Sequence, residues 1–210
     1  IHALALVLTG DAGRAPDSRT LRRLLKKEVV DPVLAARELE MDRRSDLFIQ
    51  PDGALATGGP TLHAGLTGRK TGMDTYGEYA RHGGAALSGK DPSRIDRLGA
   101  YAARYLAKNA VAAGLAESCE IQISWTSGRA EPVSLWVDTF GTGALPDDEL
   151  IARLEKAIDL RPAGLLKHFG LGEPQPAAQA FFRRLAVYGH MGREDLDLPW
   201  ERRDLAAQLG

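Results

Sequence analysis

A glycine-rich stretch between residues 58 and 91 constrains the fold of this chain more than any other feature. It contains nine glycines, and charged residues of both signs lie between them. A loop of this length inside a compact domain is usually either functional or disordered. Interspersed apolar residues argue against disorder, and they are Leu66, Met73, Tyr76 and Leu87. The sequence therefore predicts an ordered loop region that carries function.

The composition excludes several classes of protein. Of the 210 residues, 44% are apolar and 26% are charged, as in a globular domain with a hydrophobic core. A net charge of −1 predicts no bulk attraction to nucleic acid or to a membrane surface. No apolar run approaches the roughly 18 to 20 residues that span a bilayer. The single Cys119 excludes an internal disulfide and favours a reducing, cytoplasmic location.

The N-terminal quarter mixes strand and helix signals. The apolar residues of 1–9 predict a strand, and a helix is expected to begin near Asp17 and Ser18, either of which could cap it. Pro32 is expected to break or kink that helix. Turn residues within 47–57 predict a hairpin of two short strands.

The second half of the chain repeats this order. A long helix is expected over 93–115, with Ser93 and Asp96 forming a variant of the capping box. Two strands, a helix and a final extended piece follow, at 120–125, 133–137, 146–158 and 184–189. Because a helix precedes a strand pair twice, the sequence predicts an α+β fold, with pseudo-symmetric repeats of helices packed on mixed or antiparallel sheets.

Cations and one carboxylate cluster in and just after the glycine-rich stretch. Arg69 and Lys70 follow a flexible Gly-Leu-Thr-Gly lead-in, and Lys90 and Asp96 flank a helix start. A triphosphate with bound Mg²⁺ requires this combination, since cations bind its oxygens and a carboxylate holds the metal. A solvated basic pair and a helix cap are the simpler interpretations of these residues. Both interpretations stay open on the residues alone.

Residues 84–91 resemble a P-loop without matching it. Asp91 stands where a P-loop needs Ser or Thr to bind Mg²⁺, and no β-branched strand precedes the segment. A glycine-rich turn before a helix is the simpler interpretation. The histidines show no metal spacing, and only His63 and His82 are candidates for ligand contact.

Further motifs occur in a fixed order along nearly the whole chain. They read Gly-Leu-Thr-Gly-Arg-Lys at 65–70, Asp-Thr-Tyr-Gly at 74–77, Ala-Arg-His-Gly-Gly at 80–84, Ser-Gly-Lys-Asp-Pro at 88–92, Asp-Thr-Phe-Gly-Thr at 138–142, Asp-Leu-Arg-Pro at 159–162, Tyr-Gly-His at 188–190 and Pro-Trp-Glu at 199–201. In this order they closely resemble the central and C-terminal motifs of the S-adenosylmethionine synthetase family.

The resemblance implies an enzyme that joins methionine to ATP and releases tripolyphosphate, which is then hydrolysed. The leaving polyanion must be neutralised by cations and Mg²⁺. By resemblance, Arg69, Lys70 and Lys90 are the catalytic cations that bind phosphate, and Asp96 holds Mg²⁺. Arg94 stands where the family usually has Lys and keeps the positive charge. The resemblance also implies K⁺ as an assisting ion and active sites between two subunits.

The same resemblance divides the chain into three parts. These are the remainder of an N-terminal-type αββ unit at 1–57, a central segment with phosphate-binding loops at 58–96, and a C-terminal domain at 97–210.

Departures from the family pattern fall at the substrate contacts. Leu62 and His63 stand where the family has Gly and a substrate-binding Asp, so His63 is a candidate substrate contact of altered chemistry. Leu55 replaces a Phe that stacks on adenine, Ser127 replaces an apolar residue near the adenine, and Arg129 replaces a small apolar residue. The family's N-terminal half, with its His-Pro-Asp-Lys and Gly-Ala-Gly-Asp-Gln-Gly motifs, lies outside this sequence.

Three hypotheses account for this pattern. In the first, a partner chain or an upstream segment supplies the missing half of an adenosyltransferase, and we expect the chain alone not to be a stable monomer. In the second, the chain is a non-catalytic partner subunit of a full-length homologue. In the third, the reaction type is kept, but another nucleophile or nucleotide base replaces methionine or adenine.

Overall fold

The computed structural model describes residues 1, 3–9, 16–49, 71–77, 79–172 and 178–210, with the backbone alone for 178–180. The chain divides into two compact units, Ile1–Gly65 with Thr126–Arg129, and Leu66–Trp125 with Ala130–Gly210. Helices and small sheets alternate along it, which confirms the predicted α+β class. The three-part division inferred from the sequence stays a prediction.

The first unit contains a two-stranded parallel sheet and one interrupted helical run. Strand β1 (Ala3–Leu6) pairs with β2 (Asp46–Ile49), as predicted for the first strand. Parallel strands need a long crossover, and helical residues supply it. They are α1 (Ser18–Leu25), a π-helical turn (Lys26–Val30) and α2 (Asp31–Ala35). The second predicted hairpin strand, at 54–57, lies outside the described residues.

The helical run continues through Pro32, so the predicted break does not occur. The run changes from the π-helical turn to α2 directly before this proline, which lies in the first turn of α2. Asp17 caps α1 as expected, since its Oδ1 accepts a hydrogen bond from the Thr20 amide at 3.0 Å. The run is then tied to the sheet, because Arg22 donates to the carbonyl oxygen of Leu47 at 2.9 Å.

The second unit is built around one long helix, α4 (Ile95–Ala112). The antiparallel strands β3 (Glu120–Ser124) and β4 (Ser134–Asp138) follow it in the predicted order, with Glu120 opposite Asp138. The unit also contains the helices α3 (Thr71–Asp74), α5 (Asp147–Ala157), α6 (Pro162–His168), α7 (Ala178–Tyr188) and α8 (Ala206–Leu209), and a 3₁₀ turn (Pro199–Glu201). Within the described ranges, no helix is long and apolar enough to cross a bilayer.

The core of this unit is the apolar face of α4 and the side chains packed against it. Leu98, Tyr101 and Leu106 expose less than 1% of their surface. The same holds for Leu154 of α5 and for Trp200. Each buried side chain of this size stabilises the fold by roughly 1.5–3 kcal/mol. The Tyr101 and Trp200 rings stack with centroids 3.5 Å apart, which fixes the C-terminal segment on the helix.

The final extended piece predicted at 184–189 is instead the end of a helix, α7 (Ala178–Tyr188). The spacing of Phe181 and Leu185 places both on one helical face, and both pack against the core. The β-forming residues Val187 and Tyr188 suggested a strand, but tertiary packing overrides such local preferences.

A glycine at the end of α7 is required by a close approach of backbone. Gly189 has φ +86°, and a Cβ there would overlap the carbonyl oxygen of Met73. We expect Gly189→Ala to lower the free energy of unfolding by at least about 2 kcal/mol, because a positive φ and a backbone overlap both oppose Ala. Urea denaturation checks this, with Gly172→Ala as the control because no atom lies within 4 Å of a Cβ at that site. Equal effects of the two variants would contradict it.

Candidate functional site

The structure brings together two of the predicted site residues, Lys90 and Asp96. Lys90 Nζ lies 2.5 Å from Asp96 Oδ2, and both side chains are partly exposed. Asp96 is in the first turn of α4, whereas Lys90 is in the loop before it and follows Gly89, which has φ +83°. A cation and a carboxylate therefore meet at one accessible point, as a metal-bound polyphosphate requires.

The donor set at this point fits Mg²⁺ that is shared with phosphate. Among the described residues, no group of three or more His, Cys, Asp or Glu side chains is placed to hold a metal ion. Mg²⁺ is commonly bound through one or two carboxylates plus phosphate oxygens and water, not by a complete protein cage. Asp96 can supply such a single carboxylate.

The start of α4 differs from the predicted capping box. Arg94 is the N-cap residue, in an extended conformation, and its side chain is exposed. Ser93 donates its amide and hydroxyl hydrogens to Asp91 at 2.8 and 2.5 Å. These hydrogen bonds lower the pKa of the Asp91 carboxyl. The Asp96 carboxylate is thus not needed for capping and faces Lys90 instead.

No strand leads into residues 84–91, which the structure describes as turns and loop. A true P-loop is therefore absent from this described segment, as expected from Asp91.

Buried side chains hold the loop that carries Lys90. Arg97 donates to the carbonyl oxygen of Leu87 at 2.6 Å, and the Ser88 amide donates to Asp74 Oδ2 at 3.1 Å. The Ser88 hydroxyl lies 3.1 Å from His190 Nε2. Arg97, Asp74 and His190 are at most 3% exposed. A loop with no regular structure is therefore fixed by three polar side chains from elsewhere in the fold.

Sequence reasoning missed these three supporting residues. Asp74 and His190 lie inside motifs that were recognised, and Arg97 directly follows Asp96. The structure places His190 in the interior at 1% exposure. The available signal was position within a motif, since a lone histidine has no spacing to interpret.

The imidazole of His190 is neutral at ordinary pH. Burial lowers its pKa to about 4, although the Asp74 carboxylate acts in the opposite direction. Its Nδ1 lies 2.7 Å from the Tyr101 hydroxyl, and burial raises the pKa of that phenol. The backbone oxygen of His190 accepts a hydrogen bond from Trp200 Nε1 at 2.7 Å. Both ring nitrogens and the carbonyl are thus engaged.

A second cluster of charges joins α4 to the C-terminal segment. Glu201 accepts two hydrogen bonds from Arg104 at 3.0 Å, one from Lys108 at 2.5 Å and one from the Gly192 amide at 2.7 Å. Burial alone would raise the pKa of Glu201. The hydrogen bonds from these donors have the larger combined effect, so the pKa lies below its ordinary value. The two cations are therefore paired, so the cluster stabilises the fold and leaves little charge for a ligand.

In the first unit, the structure shows what Arg129 contacts. Its guanidinium lies 3.5 Å from Asp46 Oδ2 and 5.4 Å from the centroid of the Phe48 ring. The charged side chain is thus engaged with strand β2.

The other predicted site residues, Arg69, Lys70 and His63, lie outside the described residues, as do Leu55 and Leu62. Their proximity to Lys90 and Asp96 stays a prediction.

The pKa of His190 predicts how stability depends on pH. Because the folded-state pKa near 4 is below the ordinary 6.5, the unfolded chain binds the proton more readily between these values. The part of the free energy of unfolding that depends on the neutral His190 ring is complete above pH 6.5. It falls by on the order of 3 kcal/mol as the pH falls towards 4.

Urea denaturation at pH 7.0, 5.5 and 4.5 measures this dependence. We expect His190→Gln to flatten it, and His168→Gln, at an exposed histidine of α6, to leave it unchanged. Equal slopes of the free energy of unfolding against pH in the parent chain and in His190→Gln would contradict the low pKa of His190.

Comparison with known proteins identifies the family. Residues 57–202 match the family described as S-adenosylmethionine synthetase, C-terminal domain. The S-adenosylmethionine synthase of Synechococcus sp. (strain JA-2-3B'a(2-13)) is 51% identical over 190 residues, which cover 90% of this chain and 46% of that protein. That of Microcystis aeruginosa (strain NIES-843 / IAM M-2473) is 48% identical over 202 residues, covering 94% and 49%. The chain spans about half the length of these curated relatives.

A solved structure agrees with this match. The structure of an unusual S-adenosylmethionine synthetase from Campylobacter jejuni matches with a TM-score of 0.63 and 35% identity, over 93% of this chain and 50% of that one. The order of motifs, the fold and the matched residues lead to the same conclusion: this chain belongs to the S-adenosylmethionine synthetase family and corresponds to the C-terminal half of its members.

Proposed function

We propose that this chain forms the phosphate-binding part of an adenosyltransferase active site. The reaction transfers the adenosyl group of ATP to the sulfur of methionine, or of a related nucleophile, and releases tripolyphosphate. The remaining part of the site, with the His-Pro-Asp-Lys motif, comes from a partner chain or from a further part of the same polypeptide. The single observation that carries the proposal is the pairing of Lys90 with Asp96 at the start of α4.

The chemistry assigned to these residues follows the charge that develops. The sulfur lone pair forms the new bond to C5′, the C5′–O bond breaks, and its electron pair leaves on tripolyphosphate. Lys90 and Arg94 neutralise this growing negative charge, which stabilises the transition state more than the bound substrate. Arg69 and Lys70 join them by their place in the family motif.

Without a ligand, Lys90 and Asp96 neutralise each other at 2.5 Å. Bound Mg²⁺ supplies further electrostatic stabilisation of the polyanion. Asp96 would hold it, while Lys90 turns from the carboxylate to phosphate oxygens. The same proposal includes K⁺ as an assisting ion and a cytoplasmic location for the protein.

A non-catalytic partner subunit is the second candidate function, and one observation favours it. By the resemblance, Arg129 is charged where the family has a small apolar residue, and it is held by Asp46 and Phe48. A charge engaged in this way changes the chemistry of the position, as expected if substrate binding has been lost or altered.

Turnover in a reconstituted pair tests the first candidate. This chain is co-expressed with the N-terminal half of the Synechococcus relative, and tripolyphosphate and phosphate release from ATP are measured with Mg²⁺ and K⁺, with and without methionine. We expect methionine-dependent turnover that Lys90→Ala lowers by about 100-fold or more, since a transition-state cation is lost. Lys167→Ala, at an exposed lysine of α6, is the matched control. A complex that forms without turnover would support the subunit role.

The role of Asp96 gives a separate prediction. We expect Asp96→Asn to raise the Mg²⁺ concentration needed for half-maximal tripolyphosphate binding by about tenfold, because a carboxylate ligand is lost. Asp148→Asn removes an exposed carboxylate at the same place in another helix, the first turn of α5, and should change nothing. Calorimetric titration of tripolyphosphate at several Mg²⁺ concentrations measures the effect. An unchanged Mg²⁺ requirement would remove Asp96 from the metal site.

A further inference from the structure

The turn that presents Lys90 has little local support of its own. It contains Gly89 at φ +83°, and its only described backbone hydrogen bond, from the Lys90 amide to the Leu87 carbonyl, is long at 3.4 Å. Residues without a helix or a strand pairing sample many conformations, so a defined position for Lys90 needs tertiary contacts.

Those contacts converge on Ser88, two residues before Lys90. Its amide donates to Asp74 Oδ2 and its hydroxyl lies 3.1 Å from His190 Nε2, across 102 residues of sequence. Asp74 and His190 are themselves joined, because the His190 amide donates to the Asp74 carbonyl at 2.9 Å. Two buried residues that contact each other, Asp74 and His190, therefore hold Ser88 from two sides.

The ring of His190 cannot turn without leaving buried polar atoms unpaired. Nε2 faces Ser88, Nδ1 faces the Tyr101 hydroxyl at 2.7 Å, and the ring is 1% exposed. The residue is fixed at its carbonyl by Trp200 and at its amide by Asp74. An unpaired buried polar group costs about 1–3 kcal/mol, so the arrangement resists rotation.

We propose that His190 is a positioning residue for the phosphate site. Its Nε2 holds the Ser88 hydroxyl, which fixes the Ser88–Gly89–Lys90 turn so that Lys90 stands opposite Asp96 with its ammonium group ready for a polyphosphate oxygen. His190 does not touch the ligand. The inference rests on the proposed function, because it assigns Lys90 to tripolyphosphate.

Two substitutions at His190 separate positioning from stability. The amide of Asn reaches the place of Nδ1, and the amide of Gln reaches the place of Nε2, so each keeps one partner of the imidazole. We expect His190→Asn to weaken Mg²⁺–tripolyphosphate binding by about fivefold to tenfold, the usual effect of one lost hydrogen bond. His190→Gln retains the contact with Ser88 and should restore binding to within twofold of the parent, although both variants lose the packing of the ring.

A second pair of variants removes a hydroxyl from each end of the same ring. Ser88→Ala deletes the partner of Nε2, and Tyr101→Phe deletes the partner of Nδ1. Ser88→Ala should weaken Mg²⁺–tripolyphosphate binding as His190→Asn does. The double variant Ser88→Ala/His190→Asn should bind no more weakly than either single variant, because both substitutions break the same Ser88–His190 contact. Tyr101→Phe should lower the free energy of unfolding and leave the affinity within twofold of the parent.

Three measurements on the full chain test whether His190 positions the turn of Lys90. Calorimetry gives the affinity for Mg²⁺–tripolyphosphate, urea denaturation gives stability, and amide hydrogen exchange reports the order of residues 87–90 without any ligand. We expect faster exchange at 87–90 in Ser88→Ala and His190→Asn, and parent-like exchange there in His190→Gln and Tyr101→Phe.

The outcomes distinguish the two proposals. If the parent does not bind tripolyphosphate, the proposed function fails at this site, and exchange at 87–90 still decides whether His190 orders the turn. If the parent binds but affinity follows stability across all four variants, His190 is a core residue only and the positioning role is wrong. Unchanged exchange at 87–90 in Ser88→Ala also overturns it.

Discussion

The burial of one face of α4 is the constraint on which the second unit depends. Leu98, Tyr101, Ala102 and Leu106 are fully enclosed, and the two-stranded sheet, α5, α6 and the C-terminal segment all supply atoms to that enclosure. Because close-packed interiors transmit small displacements, any change along this face reaches the N-terminal turn of the helix. That turn carries Asp96, so the position of the carboxylate follows from the packing behind it.

Buried polar groups then decide how the surrounding segments are placed. Asn109 donates to the carbonyl oxygens of Tyr105 and Arg202 and accepts from the Leu205 amide, each at 2.9 Å, so the amide is satisfied deep in the core. His190 does the same at the opposite end of the helix, towards Ser88 and Tyr101. Each of these groups would cost free energy if it were unpaired, and each therefore specifies one arrangement of the chain around α4.

These two constraints together hold the loop of Lys90 and the helix start of Asp96 in place. Lys90 and Asp96 are supported by a buried network that the fold itself needs, so they are held in place by stability as well as by function. Arg129, in the other unit, contacts Asp46 and Phe48 of the short sheet. It takes no part in the buried network that supports the turn of Lys90, as far as the described residues show.

Elements with strong local signals were predictable from the amino-acid sequence. The apolar periodicity of α4 and the alternation of β3 and β4 predicted these elements to within a few residues, and the spacing of Lys90 and Asp96 placed them on either side of a helix start. The ordered motifs determined the family. Two predictions from local preference failed, because the helical run continues through Pro32 without a break, and Val187 and Tyr188 end a helix instead of a strand.

The residues that support the site were not predictable, because they meet through long-range contacts. His190 and Ser88 are 102 residues apart, and Arg97 reaches the Leu87 carbonyl from the buried face of α4. No periodicity or spacing encodes such a contact, because it depends on the path of the chain and on the need to pair polar groups once they are excluded from water. The sequence therefore determined which residues carry the charge, and the fold decided which residues hold them in place.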